Sequence, residues 1–289
     1  EYVIVPPGLK AGANRRLAGE DIRKGAIALL AGRVLGVQYV SLAAAIGLTK
    51  IDVRRRVRTA LFSTGDEIVE PGAARSDPAL FDANRYLLAG LLAQTGAAVT
   101  DLGILPDRQD AIEQAISKAA QSHDLVLTSG GVSTGEADHV RKAVETIGTL
   151  VFWRVAIKPG RPVAMGIVDG AAFVGLPGNP VAAFVTFVRV VRPLLLRLAG
   201  AGPQPLVALP VRAAFDYRKK SGRREYVRVS LRRAADGAME AVKHKQEGAG
   251  IITSLTQTDG LVELPENATT VERGSTVGFL PYSVLTAIR

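Results

Sequence analysis

Residues 125–148 read LVLTSGGVSTGEADHVRKAVETIG, and this pattern decides the fold. Residues 125–127, Leu-Val-Leu, form a short apolar run of the kind found in strands buried on both faces. A polar, glycine-rich loop follows at 129–133. Residues 137–147 then carry helical spacing that stops at Gly148. The flanking sequence repeats this strand–loop–helix unit. Upstream, strands are predicted at 57–62 and 98–104, with helices at 84–95 and 107–121. Downstream, strands are predicted at 151–157, 163–168 and 172–176, and a long helix at 180–198. Such alternation over 56–200 predicts an α/β domain, a mostly parallel sheet with helices on both faces.

The two ends differ in character. Residues 1–55 are rich in Gly, Ala and Arg, with helical patterns at 21–30 and 40–46 but no domain of their own, so part of a split domain is expected there. After the linker Gly202-Pro-Gln-Pro205, residues 201–289 hold short strand patterns at 206–211, 226–231, 238–242, 261–264 and 276–280. A small β-barrel domain is predicted.

Composition narrows the chemistry. Of 289 residues, 47% are hydrophobic and 22% charged, which excludes intrinsic disorder. The chain has no cysteine, so a thiolate zinc site, an iron–sulfur cluster, a disulfide and a cysteine nucleophile are excluded. That absence fits a reducing compartment, and a cytoplasmic protein is expected. Three histidines do not make a His-rich metal site. The net charge of +9 favours anionic partners, either small phosphorylated molecules and oxyanions or nucleic acid. The basic clusters 54–56, 218–220 and 223–224 lack interleaved aromatics other than Tyr217 and Tyr226 and read as solvated turns, so no nucleic acid is expected. The apolar stretch 181–198 contains Arg189, Arg192 and Arg197. Near a bilayer centre each would cost roughly 2.5–3.5 kcal/mol, so a buried amphipathic helix is predicted and no membrane partner.

Five polar loops should lie together outside the carboxyl ends of the strands, where open parallel sheets bind ligands. The first, Ser63-Thr64-Gly65-Asp66-Glu67, follows a strand. Ser129, Gly130, Gly131 and Ser133 form the second, and Glu136 and Asp138 open the next helix. Lys158, Arg161 and Pro162 lie in a Lys-Pro-Gly-Arg-Pro segment, and Pro177-Gly178-Asn179 precedes the long helix. Paired glycines let successive backbone N–H groups approach a phosphate. Asn179 as N-cap and Pro180 at the first helical position are expected to expose a helix N-terminus to an anion. Lys158 and Arg161 add full charges. Asp66, Glu67, Glu136 and Asp138 would repel a phosphate unless a cation intervenes, so Mg²⁺ is predicted. Each loop alone could be a tight turn, and Glu136 and Asp138 alone could be helix-capping acids. Neither a Walker A sequence nor a complete GxGxxG is present, which disfavours nucleotide hydrolysis on a P-loop and ordinary NAD binding.

At these loops the sequence resembles the MoeA family of molybdenum-insertion proteins, with the related E domain of gephyrin. The matching strings are GEDI (19–22), FSTGDE (62–67), FDANRYLL (81–88), DLGI (101–104), SGGVSTGEAD (129–138), FWRVAIKPGRPVA (152–164) and GLPGNPVAAFVTF (175–187). The resemblance implies a molybdopterin molybdenumtransferase: adenylylated molybdopterin and molybdate enter, molybdenum is inserted and AMP leaves. It implies that Ser133 and Asp138 lie at the nucleotide and metal site, with Asp66, Asp138 and Lys158 catalytic and Asp66, Glu136 and Asp138 holding magnesium. Ser63, Thr64, Gly65, Ser129, Gly130, Gly131, Ser133, Lys158, Arg161, Pro162, Pro177, Gly178 and Asn179 would contact substrate, and Arg223 and Ser254 would approach more loosely. No side-chain nucleophile stands out, which leaves a metal-bound water or a molybdate oxygen to attack. The resemblance further implies a homodimer, contact with the pterin adenylyltransferase, and 1–55 as the remnant of a split dimerisation domain. Two other readings share the fold: a non-catalytic scaffold, against which the intact acids count, and a pterin adenylyltransferase, against which the β domain and the KPGRP segment count.

Overall fold

The computed structural model describes residues 2–4, 7–8, 10–132 and 139–286. The chain divides into two compact units, Glu1–Val53 and Arg54–Arg289. The first consists of turns and one helix, α1 (Val37–Ala45). That helix overlaps the pattern at 40–46. The helix expected at 21–30 is absent, and turns and bends stand in its place. The reason is Gly25, which sits mid-segment at φ +87°, a left-handed conformation that ends a right-handed helix.

In the second unit the first strand is β1 (Arg58–Thr64). It is followed by α2 (Asn84–Gln94), β2 (Ala98–Leu105), α3 (Gln109–Ala120) and β3 (Leu125–Ser129). Then come α4 (His139–Ile147), β4 (Thr149–Arg154), β5 (Ile157–Lys158), β6 (Pro162–Val168) and β7 (Ala171–Leu176). The main sheet has the order β2-β1-β3-β7-β6-β4. Its first three pairings are parallel, and β6 runs antiparallel to both neighbours. The carboxyl ends of β1, β3, β7 and β4 therefore share one edge.

Alternation along the strands builds two cores. On β1, Leu61 points to one face, and Ala60 and Phe62 point to the other. On β3, Leu125 and Leu127 join Leu61, and Val126 joins Phe62. The first face is covered by Leu88, Leu91 and Leu92 of α2 and by Phe184, Phe187 and Leu195 of the long helix. The second is covered by Ile112 and Ile116 of α3 and Val140 and Val144 of α4. Helices on both faces were expected from the near-continuous apolar strands. Phe62, Phe173 and Phe187 are fully buried, each contributing about 1.5–3 kcal/mol relative to exposure.

The long helix runs as Pro180–Thr186, a π turn at Phe187–Val191, and Arg192–Leu198. Pro193 lacks an N–H and its ring crowds the carbonyl four residues earlier, so widening the preceding turn lets the helix continue.

The expected single strand at 151–157 is broken. The sheet strand β4 ends at Arg154, Val155 donates its N–H to the Arg161 carbonyl at 3.0 Å, and Ile157–Lys158 leaves the sheet. It pairs in parallel with β9 (Arg224–Arg233), Ile157 opposite Arg224 and Lys158 opposite Glu225. With β8 (Leu209–Ala213), β10 (Met239–Lys243), β11 (Gly260–Leu264) and β12 (Thr276–Pro281), β9 closes a five-stranded barrel. Its core is Val211, Ala213, Val229, Val262 and Phe279. The first barrel strand starts later than the pattern at 206–211, because inward-facing Val211 and Ala213 carry its burial.

Candidate functional site

A cleft of ≈ 810 Å³ lies at the shared sheet edge, walled on the far side by the barrel. Gly130 and Gly131 line it in left-handed conformations, φ +91° and +65°. A Cβ on Gly130 would stand 2.4 Å from the Thr64 carbonyl oxygen, and one on Gly131 would stand 2.4 Å from Val140 Cγ2. Only glycine fits, and the backbone stays bare toward the cleft.

The loop after β1 supplies support beneath this turn. Ser63, Thr64 and Gly65 are buried and do not line the cleft. Thr64 Oγ1 donates to Asp107 Oδ1 at 3.1 Å. Asp66 is exposed and lies off the cleft wall, whereas its neighbour Glu67 lines it. Gly65 makes room for that carboxylate: a Cβ there would come within 2.9 Å of Glu67 Oε2.

Ser129 has an internal task. Its hydroxyl accepts from Asn84 Nδ2 at 2.8 Å and donates to the Pro177 carbonyl at 3.3 Å. The same Asn84 amide donates to the Gly178 carbonyl at 2.7 Å. Asn84, at the start of α2, thus joins two site loops, and Pro177, Gly178 and Asn179 line the cleft between them. The helix N-terminus behind Asn179 is less open than expected, because Val181 donates its N–H to the Ala249 carbonyl at 3.0 Å. The segment bearing Ala249 is held by Arg228, whose buried guanidinium donates to the Gly248 carbonyl at 3.0 Å and the Gln246 carbonyl at 2.9 Å. Burial lowers the pKa of Arg228 from the usual arginine value.

The cations gather opposite. Lys158, Arg161 and Pro162 line the cleft, and Lys220, Arg223 and Lys243 reach it from the barrel. The clusters at 218–220 and 223–224, read in sequence as solvated turns, are in part cleft wall. Glu225, 1% exposed, accepts from Tyr217 Oη at 2.8 Å, Arg223 Nε at 2.7 Å and Lys158 Nζ at 3.3 Å. Burial by itself would raise its pKa. The Tyr217 and Arg223 hydrogen bonds and the Lys158 charge outweigh that and hold it below the ordinary carboxylate value. Burial and the Glu225 carboxylate push the Tyr217 phenol well above its ordinary value.

Ser254 is fully buried, off the cleft, with its hydroxyl on the Ile251 carbonyl. Its loose approach to the site is not what the geometry provides. Ser133, Glu136 and Asp138 lie outside the described residues. Among the described residues no three His, Asp or Glu cluster so as to hold a metal ion. None of the described helices is long and apolar enough to cross a membrane. Sequence reasoning missed Asn84, Tyr217 and Glu225. Asn84 sits inside the conspicuous FDANRYLL string, and only the fold reveals its two acceptors.

Comparison with known proteins agrees with this layout. Residues 60–197 match the family described as probable molybdopterin binding domain, and residues 210–282 match the MoeA C-terminal region, domain IV. The chain is 35% identical to the molybdopterin molybdenumtransferase of Haemophilus influenzae over 280 residues, 96% of this chain and 69% of that protein. It is 34% identical to the protein of that name in Nostoc, covering 96% of this chain and 64% of the other. A crystal structure of the molybdopterin biosynthesis MoeA protein of Pyrococcus horikosii superposes with a TM-score of 0.76 at 30% identity, over 91% of this chain and 64% of that one. The chain thus spans about two thirds of the length of these relatives.

Proposed function

The chain belongs to the molybdopterin molybdenumtransferase family, and from that premise we propose that it inserts molybdenum from molybdate into adenylylated molybdopterin and releases AMP. The observation that carries this reading is the pairing, in one cleft, of a bare double-glycine turn with Lys158, Arg161 and Arg223. Molybdate is a tetrahedral dianion. Lys158 and Arg161 donate charge-assisted hydrogen bonds to its oxygens, and Arg223 adds a third positive group. The Gly130 N–H is taken by the Leu176 carbonyl at 3.1 Å, so the Gly131 N–H is the backbone donor that meets the pyrophosphate, across a turn with no side chain to intervene. Fixed donors at the bridging oxygens stabilise the charge that develops as the phosphoanhydride breaks.

The proposed metal is Mg²⁺, with Asp66, Glu136 and Asp138 as ligands. Of the carboxylates lining the described part of the cleft, Glu225 is engaged by Lys158 and Arg223 and Glu247 by Lys243, so Glu67 joins this set. Mg²⁺ keeps several waters and takes one or two carboxylates beside phosphate oxygens, which suits a cleft with few acids. When bound it would supply neutralising charge at the pyrophosphate. Asp138 and Lys158 remain the proposed catalytic groups. A homodimer is also proposed, supported by the exposed apolar side chains of Tyr2, Val3, Ile4, Val37 and Val40 in the first unit. The pterin adenylyltransferase as supplier of substrate and a cytoplasmic location complete the reading, the latter supported by the cysteine-free composition.

The test is incubation of the chain with adenylylated molybdopterin, Mg²⁺ and molybdate. Molybdate-dependent AMP release is expected. Release at the same rate without molybdate would refute the proposal.

A further inference from the structure

The cations of the cleft belong to two different layers. Lys158 comes from the α/β side, Arg223 from the barrel, and one buried carboxylate, Glu225, touches both. The strand pairing puts Glu225 directly opposite Lys158. Tyr217 fixes the carboxylate from a third direction, and its ring lies within cation–π reach of Lys158 Nζ at 5.9 Å and Lys243 Nζ at 5.3 Å.

We propose that Glu225 is a positioning residue that sets Lys158 and Arg223 as a preorganised clamp for a tetrahedral oxyanion. The inference rests on the molybdate reading of the cleft. Lysine has a flexible four-carbon stem, and ordering it on ligand arrival would cost rotamer entropy. Contact with Glu225 orders it beforehand. The arrangement leaves the anion something to bind. Arg223 spends only its Nε on Glu225, so its two terminal amino groups remain for the cleft. Lys158 Nζ donates to Glu225 and to Tyr217 Oη, and an ammonium has three donors. Two cations against one carboxylate leave a surplus positive charge. A purely structural role would not need ionised groups, because an apolar set of equal volume serves stability as well or better.

The experiment titrates the full chain with sodium molybdate by isothermal calorimetry, alongside Glu225→Gln, Glu225→Asp and Tyr217→Phe, with thermal midpoints recorded. Glu225→Gln is expected to weaken molybdate binding at least tenfold. Glu225→Asp, which keeps the charge, is expected to fall between that variant and the parent. In AMP release the KM for molybdate should rise at least tenfold, and kcat should fall with it because Lys158 is also a proposed catalytic group, with Glu225→Asp recovering part of both. A folded Glu225→Gln that binds molybdate as tightly as the parent, or more tightly, overturns the proposal and makes Glu225 fold glue or a competitor of the anion. If Glu225→Gln does not fold, Tyr217→Phe decides: at least threefold weaker binding supports the proposal, and unchanged affinity overturns it. Failure of the parent chain to bind molybdate removes the proposed function and this inference together. Binding by the parent with unaltered variants removes this inference alone.

Discussion

The side-chain amide of Asn84 donates to the Gly178 carbonyl at 2.7 Å, joining residues 94 positions apart in the chain. With its second bond, to Ser129 Oγ, it holds the β3 and β7 loops at fixed spacing under the cleft. Replacing Asn84 by Ala removes the donor to the exposed Gly178 carbonyl and to the part-buried Ser129 hydroxyl. A stability loss of about 0.5–1.5 kcal/mol is expected, the usual net worth of a hydrogen bond. AMP release should fall at least tenfold. Urea unfolding and the release assay check the two parts separately.

Gly131→Ala tests the bare turn. The new methyl would stand 2.4 Å from Val140 Cγ2 at a φ of +65°. Strain at a left-handed non-glycine residue costs about 1–3 kcal/mol. Gly130→Ala should be worse, because its neighbour is the Thr64 carbonyl in the backbone and cannot swing away. Both variants should bind AMP more weakly than the parent, by equilibrium dialysis, with Gly130→Ala also the less stable of the two in urea.

Arg161→Ala separates binding from stability. The side chain is exposed, and none of the hydrogen bonds or ion pairs among the described residues involves it. Its loss should leave the unfolding free energy within about 0.5 kcal/mol. The molybdate concentration for half-maximal AMP release should nevertheless rise at least tenfold. An unchanged concentration dependence would remove Arg161 from the anion site.

Asp124 predicts an acid transition. The Arg55 guanidinium, donating to Oδ1 at 2.7 Å, holds this carboxyl down at about 2 despite its partial burial, helped by the Arg58 N–H. A depressed folded-state pKa means that the stabilisation is complete above the unfolded value, near 3.9, and is lost as pH falls toward 2. Asp124→Asn should therefore cost about 2 kcal/mol in urea unfolding at pH 7. The gap between parent and variant should close as pH falls from about 4 to about 2. A gap independent of pH in that window would show that the Arg55–Asp124 contact does not act through charge.

Much of this was legible in the sequence for local reasons. Apolar runs such as Leu125-Val-Leu127 announce buried strands, and glycine pairs such as Gly130-Gly131 announce a turn no other residue can make. Lys158 and Arg161 reach the cleft as expected because their loop can only lie at the carboxyl edge. The missed parts depend on long-range pairing. Glu225 and Lys158 are 67 residues apart, and nothing local to Arg223-Arg224-Glu225 says that this basic turn faces a cleft. Ser129 looks like a ligand by type, and only the position of Asn84 shows that its hydroxyl is already engaged. The 21–30 segment misled because helical spacing of apolar residues is blind to a single glycine held at positive φ.

The departure of Ile157–Lys158 from the main sheet has a consequence for how this protein can be divided. By composition, Gly202-Pro-Gln-Pro205 is the seam between two modules. By hydrogen bonding it is not, since the barrel strand Arg224–Arg233 has one of its neighbours on the other side of that seam. A barrel exchanged at 202–205 would arrive without the two residues that complete its edge, and the recipient would keep a lysine with no strand to lie on. The heritable module is the barrel together with the Ile157–Lys158 segment that it borrows, so changes at 157–158 and 224–225 are coupled, and chimaeras that swap one pair without the other should lose the cleft before they lose either core.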